Sequence, residues 1–232
     1  MLLCKSLYAT EQVADILYYK NQKIHIYSYP LESRVKNDST LNAKLDKLGC
    51  FSTACWRRVI GIYEIKNDSL FLIGLKEPCK RKPLRLDHYF GNSEISNGRV
   101  FVDWFSGHID EGYGKYMGFS ASNLNNIYEN KIEVDINEGK ISNLRVTNQV
   151  KSKILGAWGN NQLGNAIIAF YSDSIYFSDS NLTYKYTISS DTIIVFLNDT
   201  IIERIQILEI SDDWLKLNYL KLGITEKVSK RN

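Results

Sequence analysis

Four times along this chain a short cluster of Asp with Asn, Ser or Thr breaks a run of β-branched and aromatic residues. "KNDS" separates "VIGIYEI" from "LFLIGL", "SDS" separates "AIIAFY" from "IYF", "SSDT" separates "TYKYTI" from "IIVFL", and "SDD" separates "RIQILEI" from "WLKLNYL". Asn and Asp side chains bond to backbone two residues on and tolerate left-handed geometry, so they suit tight reversals. Run, reversal, run is the pattern of a hairpin, and hairpins in succession make an antiparallel meander. Tyr184, Tyr186 and Ile188 alternate with Lys185 and Thr187, as do Leu215, Leu217 and Tyr219 with Lys216 and Asn218. That alternation gives a sheet one dry and one wet face. The expected fold class is all-β with minor helix, built from antiparallel meander sheets.

The pattern is densest at the C-terminal end. Short apolar runs fall near 154–158, 166–171, 174–178, 182–188, 192–197, 200–209, 213–221 and 223–228. Eight antiparallel strands can close on themselves and remove their edges. Strands this short would form a small barrel filled mainly by its own side chains. The expected organisation is therefore a β-rich domain over 1–148 and a small barrel-like domain over 153–232, with a polar linker at 147–152.

In the first domain, "DILYYKNQKIHIYSYP" suggests a hairpin turning at Lys20, Asn21 and Gln22, with a helix over Thr10 to Tyr19 as its rival. Residues 31–49 are polar and read as loop with a short helix, Leu41, Leu45 and Leu48 sharing one face and Gly49 ending it. Strands are expected at 56–65, 69–75, 99–105, 128–136 and 140–146. The 232 residues are 44% hydrophobic and 24% charged, enough to bury a core. A net charge of +3 is too weak a bias to imply nucleic acid.

No run approaches the ~18 apolar residues that cross a bilayer, and the start lacks a secretory pattern, so a cytoplasmic, non-membrane protein is expected. In that setting Cys4, Cys50, Cys55 and Cys79 read as free thiols in or near the core. A zinc set of Cys50, Cys55, Cys79 and His88 lacks the paired spacing of a metal site, so no metal is assigned.

Two resemblances accompany this reading. Gly156-Ala157-Trp158 in "ILGAWG" is similar to the Gly-x-Trp that opens lipocalin-type barrels, and the last third resembles lipocalin-like domains of uncharacterised bacterial proteins. This implies a lipocalin-like barrel; on its own, Trp158 reads as a core anchor at the barrel's end. "FSTACWRRVIGIYEI" and "FVDWFSGHI" resemble a family of uncharacterised bacterial proteins with a Ser-Thr-Ala-x-Trp-Arg run and an Asp-Trp-x-Ser-Gly landmark. That likeness implies a β-rich domain over residues 13 to 146. Its members often have Gly where this chain has Arg58, which counts against a tight turn there.

The chemistry-bearing candidates each have a bland reading. Cys55 as a nucleophile would need a base from His25, His88 or His108, and a small buried hydrophobe is the ordinary role at a strand entrance. Asp103, Asp110 and Glu111 would serve a glycosidase only at a ~5–9 Å separation; the plainer reading is a strand ending in a Gly-rich loop, with Trp104 in the core. "GYGKYMG" lacks the crossover helix of a dinucleotide site, so no cofactor is assigned. Lys80, Arg81, Lys82 and Arg85 read as a solvated loop.

The expected function is a non-catalytic protein-binding module, one concrete form being an immunity protein that neutralises a toxin in its own cell. The candidate contact residues are Trp56, Arg57, Arg58, Trp104, Tyr113, Tyr116 and Phe119, amphipathic or aromatic anchors of the kind that dominate interfaces. The alternatives are a lipocalin-like binder of a small apolar ligand and a hydrolase using Cys55 or Asp103 and Glu111. No nucleic-acid partner is expected.

Overall fold

The computed structural model describes residues 12–49, 53–159 and 167–231. The chain is mostly strand, with antiparallel sheets, minor helices and a closed eight-stranded barrel. It divides into two compact units that interleave in sequence: one holds residues up to 111 with 132–145, the other 112–131 with 146–232.

The first unit opens with the expected hairpin, β1 (Asp15–Tyr19) against β2 (Gln22–Ile26). Its turn residues Lys20 and Asn21 both lie at positive φ, 45° and 64°, the twist that a two-residue hairpin loop requires. Residues 31–49 hold two helices where one was expected, α1 (Leu31–Asn37) and α2 (Ser39–Asp46). The Asp38 carboxylate caps α2 by accepting from the Leu41 amide at 2.9 Å, and Leu41 and Leu45 are buried. After the helices the chain returns as β3 (Ile60–Lys66), parallel to β1 with Leu17 opposite Tyr63. This pair departs from the meander because a helical crossover, not a hairpin, joins its strands.

β4 (Ser69–Lys76) follows through Asn67 and Asp68, also both at positive φ, so "KNDS" is the turn its composition suggests. Three short strands come next, β5 (Pro83–Leu84), β6 (Ile95–Ser96) and β7 (Arg99–Phe101), with β5 and β7 on β4 and β6 on β7. β8 (Gly107–Ser120), β9 (Asn125–Asn137) and β10 (Lys140–Asn148) are the last strands before the barrel. β8 corrects the Gly-rich loop expectation. Its glycines sit where a side chain would collide: a Cβ on Gly112 would lie 2.4 Å from Tyr128, and one on Gly118 2.0 Å from the Ile210 carbonyl oxygen. They mark close approaches inside a strand rather than a loop. Leu17, Ile24, Tyr63, Leu72 and Val134 are fully buried in this unit.

In the second unit the expected linker is a helix, α3 (Gln149–Ile154). Val150 and Ile154 are fully buried in the barrel's core cluster, so this segment packs rather than spaces. The barrel runs β11 (Gly156–Gly159), β12 (Ile167–Phe170), β13 (Ser174–Phe177), β14 (Leu182–Ser189), β15 (Thr192–Leu197), β16 (Thr200–Ile210), β17 (Trp214–Tyr219) and β18 (Ile224–Arg231). Each strand pairs antiparallel with the next, and β18 pairs back to β11 through Ala157 and Arg231, closing the ring. Trp158 is fully buried, and its indole N–H donates to the Ile154 carbonyl at 2.7 Å, anchoring α3 to the barrel. Ile193, Val195, Ile205, Ile207, Leu215 and Leu217 fill the interior. Met117 of β8 and Ile127 of β9 join the same cluster.

Candidate binding sites

In the first unit a cleft of about 230 Å³ gathers Asp15 and Gly61 from two strands, Tyr29 and Glu32 from the start of the helical crossover, and the turn Trp56-Arg57-Arg58. Arg57 organises it. Its Nη1 donates to Asp15 Oδ1 at 2.8 Å, its Nη2 donates to the Val13 carbonyl, and its guanidinium stacks 3.5 Å from the Tyr29 ring centre. Asp15 Oδ1 also accepts from the Gly61 amide at 2.9 Å. Both charged side chains are almost wholly buried. Burial outweighs the attraction of Arg57 and pushes the Asp15 carboxyl up to about 6. Tyr63, fully buried alongside, has its phenol held well above its ordinary range by burial first and by Asp15's charge next. The pair ties the start of β1 to the turn that carries Trp56.

The turn that presents Trp56 is held at both sides. Cys55 is fully buried and Arg57 nearly so, while Trp56 between them is 58% exposed. Arg58 adopts φ 65°, and its amide donates to the Cys55 carbonyl at 3.3 Å, so the tight turn forms without glycine. The Arg58 guanidinium pairs with Asp46 and donates to Asn42 Oδ1 at 3.3 Å, fixing the turn to α2. The expected strand over 56–65 consequently starts only at Ile60.

The other expected contact residues are not among those that line this cleft. Trp104 is half-buried; its indole N–H donates to the Pro30 carbonyl at 3.1 Å, its ring stacks on Phe90, and it borders a hollow that shares Tyr29, Glu32 and Lys36 with the cleft. Tyr113, Tyr116 and Phe119 belong to the second unit, on β8, where Tyr116 and Phe119 are exposed and Tyr116 packs edge-on to Tyr128.

The catalytic candidates are occupied otherwise. Burial raises the Cys55 thiol, against Arg57's opposing effect, and its Sγ faces the Val59 carbonyl at 3.9 Å. That is the reverse of the setting a thiolate needs. Glu111 accepts from the Tyr27 amide at 2.9 Å, and burial raises its carboxyl. His108 does meet a carboxylate, Asp135, at 2.7 Å, but both are exposed, and among the described residues no hydroxyl or thiol bonds to the imidazole's other nitrogen. Cys79 is disulfide-bonded, which corrects the expectation of a free thiol there and removes it from any zinc set; Cys55 is free and buried as expected, and Cys4 and Cys50 lie outside the described residues. Lys80 and Arg85 of the basic stretch pair with Glu77 and Asp87.

A second cleft, of about 360 Å³, lies at the barrel's mouth in the second unit. Ile168, Phe177, Tyr184, Tyr219 and Val228 form its apolar wall, and Asp179, Glu203 and Glu226 stand among them. Sequence reading missed these acids, as it missed Asp15. The available signal was register: Glu203 and Glu226 lie two residues from Ile205 and Val228, on strands whose alternate positions are apolar. Comparison of this chain with protein-family models, curated proteins and solved structures gives no match.

Proposed function

We propose that this chain is a non-catalytic protein-binding module whose contact centre is Trp56 and the cleft beside it. The observation that carries this reading is a large apolar ring held in solvent by a turn whose flanking residues are both locked in the core. An anchor ordered before binding loses little entropy on contact, and buried Trp and Arg groups dominate interface energy. The adjoining cleft, walled by Tyr29, Leu31, Val35 and Val59, is of a size to receive one apolar side chain from the partner. This description fits a protein that offers an apolar residue ringed by polar groups, a class that includes a toxin met by its immunity protein.

The test is affinity capture with the full chain and with Trp56→Ala. A partner retained by the parent and weakened about 30-fold or more by the substitution, at unchanged melting temperature, supports the reading. Equal retention by both overturns it. A second reading, a binder of a small apolar molecule, is favoured by the cleft at the barrel mouth, whose volume lies within the ordinary range for ligand pockets.

A further inference from the structure

Arg57 faces two carboxylates and bonds to one of them. Its Nη1 holds Asp15 Oδ1 at 2.8 Å, whereas its Nε stands 3.9 Å from Glu32 Oε1. Both Nε and Oε1 are buried, and neither has a hydrogen-bond partner among the described residues. A buried donor or acceptor without a partner is costly, so a gap this short marks a bond that the folded chain leaves unmade. About 1 Å of guanidinium travel would close it to charge-assisted bonding distance. The two carboxylates stand on different elements. Asp15 begins β1, and just before it the Val13 carbonyl also accepts from Arg57. Glu32 is in the first turn of α1, which follows Tyr29, whose ring stacks on the guanidinium.

We propose that the turn carrying Trp56 has two seats, one with Arg57 on Asp15 and one with Arg57 on Glu32, and that mild acid moves it from the first to the second. Asp15 lines the cleft beside Trp56, which gives a solvent proton its route. Once neutral, Asp15 still accepts from the Gly61 amide. A buried guanidinium requires a counter-charge, however, and Glu32 is the nearby carboxylate left to supply it. The move draws Arg57 from β1 toward α1 and takes the adjoining Trp56 with it. Arg58 keeps the far side of the turn on α2 through Asp46 and Asn42. Binding at Trp56 is then strong near neutral pH and weakened in mild acid. That consequence rests on the reading of Trp56 as the contact centre; the two seats do not.

The surroundings make Asp15 the trigger. The turn supplies Arg57 and Cys55, the crossover Tyr29 and Glu32, and β3 Tyr63 with the Gly61 amide. From β2 the residue opposite Asp15 is Ile26, which does not titrate. Burial raises the Cys55 thiol and the phenols of Tyr29 and Tyr63, so these three stay neutral in acid. Lys36 Nζ stands 3.7 Å from the other oxygen of Glu32, Oε2. The Asp15 carboxyl is itself raised to about 6, so its charge changes between neutral and mildly acid pH.

Tryptophan fluorescence of the full chain and of Trp56→Phe, read from pH 7.5 to 4.5, gives the Trp56 signal by difference. The expected result is a single transition with its midpoint near pH 6. Asp15→Asn should hold the signal at its acid value throughout. Glu32→Gln, which removes the second seat, should hold it at its neutral value. A Trp56 signal constant across the range in the parent chain overturns the proposal, as does a transition that survives unchanged in either variant. Should Asp15→Asn lose the parent's circular dichroism spectrum, Glu32→Gln decides alone, since that side chain is partly exposed. No partner enters these measurements. Their failure therefore leaves Trp56 standing as a contact residue, and equal capture of a partner by Trp56→Ala leaves the two seats standing.

Discussion

Asp15 shows how little of a site can be visible in a local stretch of sequence. It opens β1 as a single acid ahead of an apolar run, and its cation Arg57 is 42 residues away. The Ser-Thr-Ala-x-Trp-Arg run drew attention to Trp56, Arg57 and Arg58, but the roles of the two arginines emerge only from what they meet. The buried pair has a pH signature. Asp15 titrates near 6 in the folded chain against 3.8 when free, so the folded state holds an extra proton between those values. This group's contribution to stability is therefore fully present below about pH 4 and is lost as pH rises through about 6. Urea midpoints measured from pH 4 to 7 should fall with rising pH, and Asp15→Asn should flatten that fall. Asp15→Ala should cost about 3–5 kcal/mol, because Arg57 is left buried without its counter-charge. Gly118 makes a steric prediction. With φ 147° and a carbonyl oxygen in the way of any Cβ, Gly118→Ala should destabilise by about 1–3 kcal/mol in the same measurement.

Among the elements, the turns were the most legible part. Asn21, Asn67, Asp68, Asn198 and Asp199 take the left-handed geometry that their side chains favour, Lys20 takes it beside Asn21, and each pair joins two strands in the order expected. The segments misread were those whose structure depends on distant partners. Gly112, Gly114 and Gly118 suggest a loop until Tyr128 and Ile210 are placed beside them, and Val150 and Ile154 suggest nothing until a barrel core lies beneath. The glutamates of the barrel mouth had a legible register, yet nothing in the sequence says which positions face inward near a strand's end. Asp212 is the element-scale test. It accepts from Lys153 Nζ at 2.8 Å, Ser120 Oγ at 2.7 Å and Ser122 Oγ at 2.8 Å, tying α3 and the tip of the β8–β9 hairpin to the start of β17. The Lys153 bond, then that of Ser120, holds its carboxyl well below the usual range, so this tie is present near neutral pH and is lost in acid. Asp212→Ala should cost about 1–3 kcal/mol and speed amide exchange over residues 115–128 more than in β14 and β15.

For the molecule as a whole, the fold class and the eight-strand count could be read from periodicity because both depend on local pattern repeated many times. The interleaving of the two units could not, since nothing local records that residues 112–131 pack with strands far along the chain. A fragment of residues 153–232 contains every barrel strand but lacks Met117, Ile127 and Val150, all buried in the barrel's cluster. Produced alone, it should lose cooperative thermal unfolding or melt at least about 10 °C below the barrel in the full chain, as read by circular dichroism.

The closed ring has a consequence for synthesis. Its last seam joins Ala157 to Arg231, and Gly118 waits for Ile210. A ribosome releases the chain from its first end, so the hairpin tip emerges long before its receiving strand exists. Until the segment through Arg231 has left the ribosome, that apolar surface has no native cover, and the nascent chain should depend on holding chaperones in proportion to how slowly the codons up to Arg231 are read.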